Sequence, residues 1–146
     1  MTNPLNPLLD LTATAGPLLG RLLIAALFIP AGLMKIPGFD ATAAYMTLKG
    51  LPLVPLLLVL TIVIEAGGGL LLLLGWRARE AALALFLFMI PVTVIFHGFW
   101  NVEDAAARLN EQRAFMKNVA ITGGLLMVAA FGPGPFSLGR AKPPRA

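Results

Sequence analysis

Four long apolar runs separated by short polar connectors organise the chain, near Pro17–Met34, Leu51–Leu74, Ala81–Phe99 and Phe115–Phe131. A helix needs about 20 apolar residues to cross a bilayer. Each run therefore predicts a membrane span, the first and last drawing on flanking residues. The connectors carry the stops and starts. Between the first two spans, Asp40 can cap a short helix over Ala41–Leu48. Lys49 suits its C-terminal dipole, Gly50 its left-handed closing position, and Pro52 the first turn of the next helix. The link GWRARE between the second and third spans is tight enough to make them antiparallel neighbours. Before the fourth span, Asn101 can cap a helix carrying Glu103 and Asp104 early and Arg108 and Arg113 late, the order a helix dipole favours. Val102, Ala105, Ala106 and Leu109 give it a weak apolar stripe, which predicts a helix lying on the membrane surface. Trp76, Phe99, Trp100 and Phe115 fall near span ends, as in an aromatic belt.

The pattern divides the chain into a lead-in (1–16), a four-span domain (17–138) and a Pro/Gly-rich flexible tail (139–146). The lead-in is expected to be loosely structured or interfacial. It lacks the basic start of a signal peptide, and its small-residue stretch TATAG precedes the apolar run rather than following it. The predicted fold is all-α: an integral membrane antiparallel four-helix bundle with short interfacial helices in the 1–2 and 3–4 connectors.

Composition agrees. The 146 residues are 58% hydrophobic and 12% charged, against about 25% charged in soluble domains, and mean hydropathy is +0.86. Such a chain cannot clothe a water-facing surface, so the lipid bilayer is its first expected partner. With no cysteine and a single histidine, His97, one copy offers no thiolate, multi-histidine metal or bis-histidine haem site. The net charge of +4 is spread along the chain, which argues against a nucleic-acid partner. An even number of spans puts both termini on one side. Arg21, Arg77, Arg79, Arg140, Lys142 and Arg145 lie on that side, and Lys35, Lys49, Arg108, Arg113 and Lys117 on the other. The slight excess favours cytoplasmic termini.

Glu65 is the anomaly, a carboxylate in mid-span. The sixteen Leu, Ile and Val residues of Leu51–Leu74, at roughly −0.4 kcal/mol each, outweigh one central charge at roughly +3 kcal/mol. The span inserts, and the charge is expected to face the bundle interior with a partner, as a structural staple or a chemical group. At ~1.5 Å per residue, Glu65 lies roughly 15 Å inward of Gly75, Arg21 roughly 6 Å inward of the same surface, and Lys35 and His97 roughly 25 Å or more inward, near the far side. This arithmetic predicts an Arg21–Glu65 ion pair, and a separate polar vestibule of Lys35, His97, Lys117 and Asn118. His97 reads as an interfacial residue with Asn101 as partner, or as a proton carrier. Gly67, Gly68 and Gly69, Gly16 and Gly20, and Gly123 and Gly124 leave room for close helix packing or for a flat ligand. Pro30 and Pro91 predict kinks.

These residues resemble the DoxX family of small four-span membrane proteins. The likeness runs from about Gly20 to Leu138. It rests on GRLLIAALFIPAGLMKIPGF (Arg21, Gly32, Lys35), EAGGGLLLLLGWRAR (Glu65, Gly68, Gly75, Arg77), HGFW (His97), FMKNVAITGGLL (Lys117, Asn118, Gly123, Gly124) and GPGPFSL. The resemblance implies a link to quinol oxidation or thiosulfate:quinone oxidoreduction, or to oxidative-stress complexes. A chain without metal or haem ligands would then act by binding a quinone non-covalently or by docking to a redox protein partner.

The expectation is a quinone-associated subunit of an oxidoreductase system in a bacterial inner membrane. The ring would sit between Glu65 and the Lys35–His97–Lys117 group, with Arg21 and Asn118 also among the ligand-binding candidates. Glu65 and His97 are the buried groups able to carry protons. Gly20, Gly68, Gly69, Gly123 and Gly124 are the helix-packing candidates. Two other classes stay open: a small-molecule carrier, for which a homo-oligomer would supply further walls, and a structural or assembly factor without ligand chemistry.

Overall fold

The computed structural model describes residues 6–139, and every regular element there is helical. The order is α1 (Asn6–Met34), α2 (Phe39–Leu48), α3 (Val54–Ile62), a single π turn (Val63–Gly67), α4 (Gly68–Leu74), α5 (Ala78–Phe96) and α6 (Ala105–Phe131). α3, the π turn and α4 form one continuous rod. Four rods are long and apolar enough to cross a membrane: Pro7–Met34, Val54–Leu74, Ala78–Phe96 and Ala105–Phe131. α1 packs on the α3–α4 rod, that rod on α5, and α5 on α6, while α6 also touches α1 and closes the bundle.

The outside of the bundle is oily. Leu23, Leu56, Leu87 and Met127 are all more than half exposed, which suits acyl chains as solvent. Inside, Phe28, Leu72, Ala82, Leu85, Met89 and Leu125 form the main core. Small residues set its spacing. A Cβ on Gly68 would overlap the side chain of Leu85, and one on Gly69 would overlap Ile29, so these two glycines are where neighbouring rods meet. Gly124 lies near Ile24. Gly16, Gly20, Gly67 and Gly123 have open space beside them and pack against nothing. A second, smaller core of Met46, Val54 and Leu58 seats α2 against the start of α3.

Several boundaries differ from expectation. The lead-in is helical from Asn6, because Pro7 falls in a first turn that needs no N–H from it, and Thr12 and Thr14 return hydroxyl bonds to Leu9 and Asp10 carbonyls. Residues 1–5, and the tail from 140 onward, lie outside the described residues. α2 starts at Phe39 after Gly38, so Asp40 sits in its first turn and caps nothing by side chain. Lys49 and Gly50 close α2 as read, Gly50 at φ +76°. Pro55, not Pro52, occupies the first turn of α3. The surface helix expected in the 3–4 connector is the N-terminal part of α6 itself, running unbroken into the fourth span. Its cap is Asp104, which accepts a hydrogen bond from Ala107 N–H at 2.7 Å. The sequence places polar side chains up to Arg113, but nothing there breaks a helix, so the helix continues.

Helix ends are closed by arginines from neighbouring rods. Arg21, fully buried, donates through Nη1 to Leu72 O at 2.8 Å and through Nη2 to Phe136 O at 3.0 Å. Arg79 donates to Ala129 O and Ala130 O at 2.8 and 2.9 Å, closing α6. The last carbonyls of a helix have no partner within it and carry its negative dipole end, so a cation is the fitting cap. Residues 132–139 fold back over the α4–α5 turn, where Leu138 N–H and Gly139 N–H bond to Leu74 O and Gly75 O at 3.0 and 3.1 Å. Gly75 makes this junction possible, with φ +67° and the Arg21 guanidinium and Ser137 where a side chain would be.

Gly75→Ala is expected to cost about 1–3 kcal/mol in backbone strain alone, and to lower the melting temperature of the detergent-solubilised protein by several degrees. Gly123→Ala, with nothing beside it, is expected to leave that temperature unchanged.

Candidate functional site

The two charges that matter most meet where α1 ends. Gly32 lies flush against the π turn, and a Cβ there would come within 3.0 Å of the Glu65 Cβ and closer still to Ala66 N. This contact fixes the register: Gly32 is level with Glu65, and Lys35 is three residues further on. The Lys35 ammonium turns back and donates to Glu65 Oε2 at 2.6 Å and to Ala31 O at 3.0 Å. It thereby closes α1 and neutralises the carboxylate in one geometry. Glu65 is 7% exposed.

The Arg21–Glu65 pair expected from the sequence is therefore not formed. Counting depth inward from the nearer surface made Arg21 the closest cation. The register set by Gly32 puts Arg21 eleven residues, roughly 16 Å of helix, from the level of Glu65. Lys35 is about one turn away, and its long side chain spans that gap. Arg21 is moreover committed to backbone carbonyls at the other end of the rod.

The π turn is the second local cause. A π-bulge widens one turn of a helix and is frequent at functional sites. Here it is confined to Val63–Gly67 and holds Glu65 at its middle. The following glycines supply no side chain that would resist the wider turn.

The pair forms part of the wall of a cavity of about 230 Å³. Thr42 and Tyr45 of α2, Thr61 of α3 and His97 supply its other polar lining, and Met46, Phe88, Val92 and Phe96 the apolar remainder. Tyr45 and Phe96 pack at a tilt with ring centres 5.6 Å apart, and Lys49 Nζ lies over the Tyr45 ring, 5.5 Å from its centre. α2 is thus a lid over the cavity, seated by its own small core.

His97 follows the last residue of α5, and its Nδ1 lies 2.9 Å from Glu111 Oε2 on α6. The partner is Glu111 rather than Asn101, because the chain leaves the helix after Phe96 and the residue one turn on does not lie beneath the ring. The vestibule expected at the far face divides. Lys35, Glu65 and His97 share the cavity. Asn118 is buried elsewhere, and Lys117 points outward from α6. Phe99, Trp100 and Phe115 form an aromatic cluster with centroids 5.5–6.0 Å apart. Among the described residues no group of three or more His, Cys, Asp or Glu stands close enough to hold a metal ion.

Sequence reasoning missed Glu111, Tyr45 and the two threonines. Thr61 had a signal, since it lies four residues before Glu65 and shares its helix face. Tyr45 and Glu111 had none, because only the folding of α2 and the reach of α6 bring them near.

Comparison with known proteins fits this framework. The DoxX family model matches residues 16–98, which contain Arg21, Gly32, Lys35, Glu65, the glycines behind it and His97. The chain belongs to the DoxX family. It is similar to "Inner membrane protein YqjF" of Escherichia coli (strain K12), 39% identical over 125 residues, covering 86% of this chain and 90% of the relative. It is also similar to "Inner membrane protein YphA" of the same organism, 34% identical over 123 residues, covering 84% and 87%. No solved structure matches the chain. In this DoxX-family bundle, the matched segment supplies every cavity-lining residue, and Glu111 on α6 lies beyond it.

Removing one member of a buried pair leaves an uncompensated charge and costs about 3–5 kcal/mol, whereas replacing both with apolar groups of similar size is often neutral. Lys35→Met is therefore expected to destabilise the protein in mixed-micelle unfolding by that order. Lys35→Met combined with Glu65→Leu is expected to recover most of the loss.

Proposed function

We propose that this protein is a quinone-associated membrane subunit of an oxidoreductase system, resident in the bacterial inner membrane like the two named relatives. The observation that carries the proposal is the cavity: a neutralised Lys35–Glu65 pair beside aromatic rings, within a bundle whose outside is lipid-facing. A 150 Å³ apolar cavity takes up benzene, so about 230 Å³ suits one substituted ring and excludes an isoprenoid tail, which would leave toward the acyl chains. Lys35 can donate to a ring carbonyl, and Phe88 and Phe96 can pack on the ring faces. A bound quinone would supply two-electron, two-proton chemistry. The protein's own contribution would be to hold the ring, keep water away from it and offer proton-carrying groups, with electrons passing to or from a redox protein partner. The slight excess of basic residues on the terminal side favours termini in the cytoplasm, which would put the cavity in the opposite half of the bilayer.

An assembly role has a specific observation in its favour too: Arg21, Arg79 and Lys35 each fasten helix ends, so charge is also used structurally here. Glu65→Gln separates the two. The protein is purified in mild detergent and its lipid extract assayed for quinone. The expected result is quinone in the wild-type extract and a severalfold lower ratio of quinone to folded protein in Glu65→Gln, whatever the loss of abundance that breaking the pair brings. An unchanged ratio of quinone to folded protein in Glu65→Gln, or a wild-type extract without quinone, favours the scaffold.

A further inference from the structure

The cavity has a polar connection to the outside that the Lys35–Glu65 pair does not explain. His97 lines it, and Glu111 engages Nδ1 of the same ring at 2.9 Å. A carboxylate can only accept at that contact, which selects the tautomer with the proton on Nδ1. In the neutral ring Nε2 then carries the lone pair, on a residue that lines the cavity. Glu111 is more than a third exposed and stands among exposed Arg108, Asn110, Gln112 and Arg113, in the part of α6 that carries polar side chains. One end of the dyad therefore meets the cavity and the other meets water. A histidine whose second nitrogen is held by a carboxylate is the arrangement that general bases use elsewhere.

We infer that His97 and Glu111 form an acid–base dyad serving the cavity, for ligands carrying an ionisable hydroxyl on an aromatic ring. The inference rests on the cavity reading above and adds a chemical task to it. His97 Nε2 takes the proton of the ligand hydroxyl, the O–H bond breaks, and its electron pair stays on the oxygen. His97 is left as the imidazolium, whose Nδ1–H stays hydrogen-bonded to Glu111 Oε2. The oxyanion is left in a cavity whose only ammonium is Lys35, and the other charged or titratable groups there are Glu65 and Tyr45. His97 would touch the ligand. Glu111 acts through it, as a positioning residue.

The probe is 4-nitrophenol, whose ionised form absorbs visible light, bound to the detergent-solubilised full chain with protein-free micelles as the reference. The expected result is a larger ionised fraction for the bound probe than for probe in empty micelles. Glu111→Gln is expected to lower the ratio of ionised to neutral bound probe about tenfold, the effect of losing a hydrogen bond to a charged group. Across a pH series, the bound probe's midpoint would then rise by about one unit. Glu111→Asp restores part of the ratio, which a merely structural contact would not do. His97→Gln, which cannot take the proton, abolishes the difference from empty micelles. Binding with an ionised fraction that neither substitution moves overturns the dyad and leaves the cavity reading standing. A probe that does not bind at all overturns both.

Discussion

A charged pair away from water is the constraint around which this bundle is arranged. Lipid offers no solvation to a carboxylate, so Glu65 needs a cation in contact, and the needed cation lies on another rod. Lys35 reaches it only because Gly32 brings the backbone of α1 against the π turn. The register of α1 on the α3–α4 rod, the width of that turn and the end of α1 are therefore one solution rather than three. The glycines behind Glu65 extend the solution: Gly69 admits α1 at Ile29, and Gly68 admits α5 at Leu85. The cavity is the space left beside the pair, with Thr42, Tyr45 and Met46 of α2 on one wall.

The same electrostatic logic recurs at the opposite end of the rods. Arg21 and Arg79 are not held by carboxylates but by carbonyls at the ends of α4 and α6. In an aqueous protein those carbonyls would be hydrated, and the arginines could be spent elsewhere. Near a bilayer the bare end of a helix is a partial negative charge in a poor solvent. A guanidinium with five donors in a planar fork is well matched to several carbonyls at once.

Much of this was legible in the sequence, and the limit has a physical form. The spans and their antiparallel order follow from apolar run length and from connectors too short for any other path. That Glu65 would face inward and be paired followed from the cost of leaving it in lipid. Which cation pairs with it did not follow. Depth counted along separate helices carries an error of about a turn in each, enough to reverse which of Arg21 and Lys35 stands nearer to Glu65. The signal was present in Gly32, the one residue of its turn small enough to let the π turn touch backbone, but its meaning depends on knowing what lies opposite. His97 and Glu111 illustrate the harder case. They are fourteen residues apart and joined by an irregular connector, so no helical period relates them. Asp104, not Asn101, began the last helix because several polar residues there can cap, and sequence alone does not rank them.

One contact of Arg21 bears on how the chain reaches this state. Its guanidinium sits in the first of the four rods, yet one of its acceptors, Phe136 O, lies 115 residues downstream. While the chain is still being synthesised, the first three rods can gather, but that acceptor is missing and the end of α4 lacks the cover of residues 132–139. Closure of this corner waits for residues 132–139, so the four rods are locked from the segment that follows α6, and a chain cut before it would reach the membrane with buried Arg21 only partly satisfied.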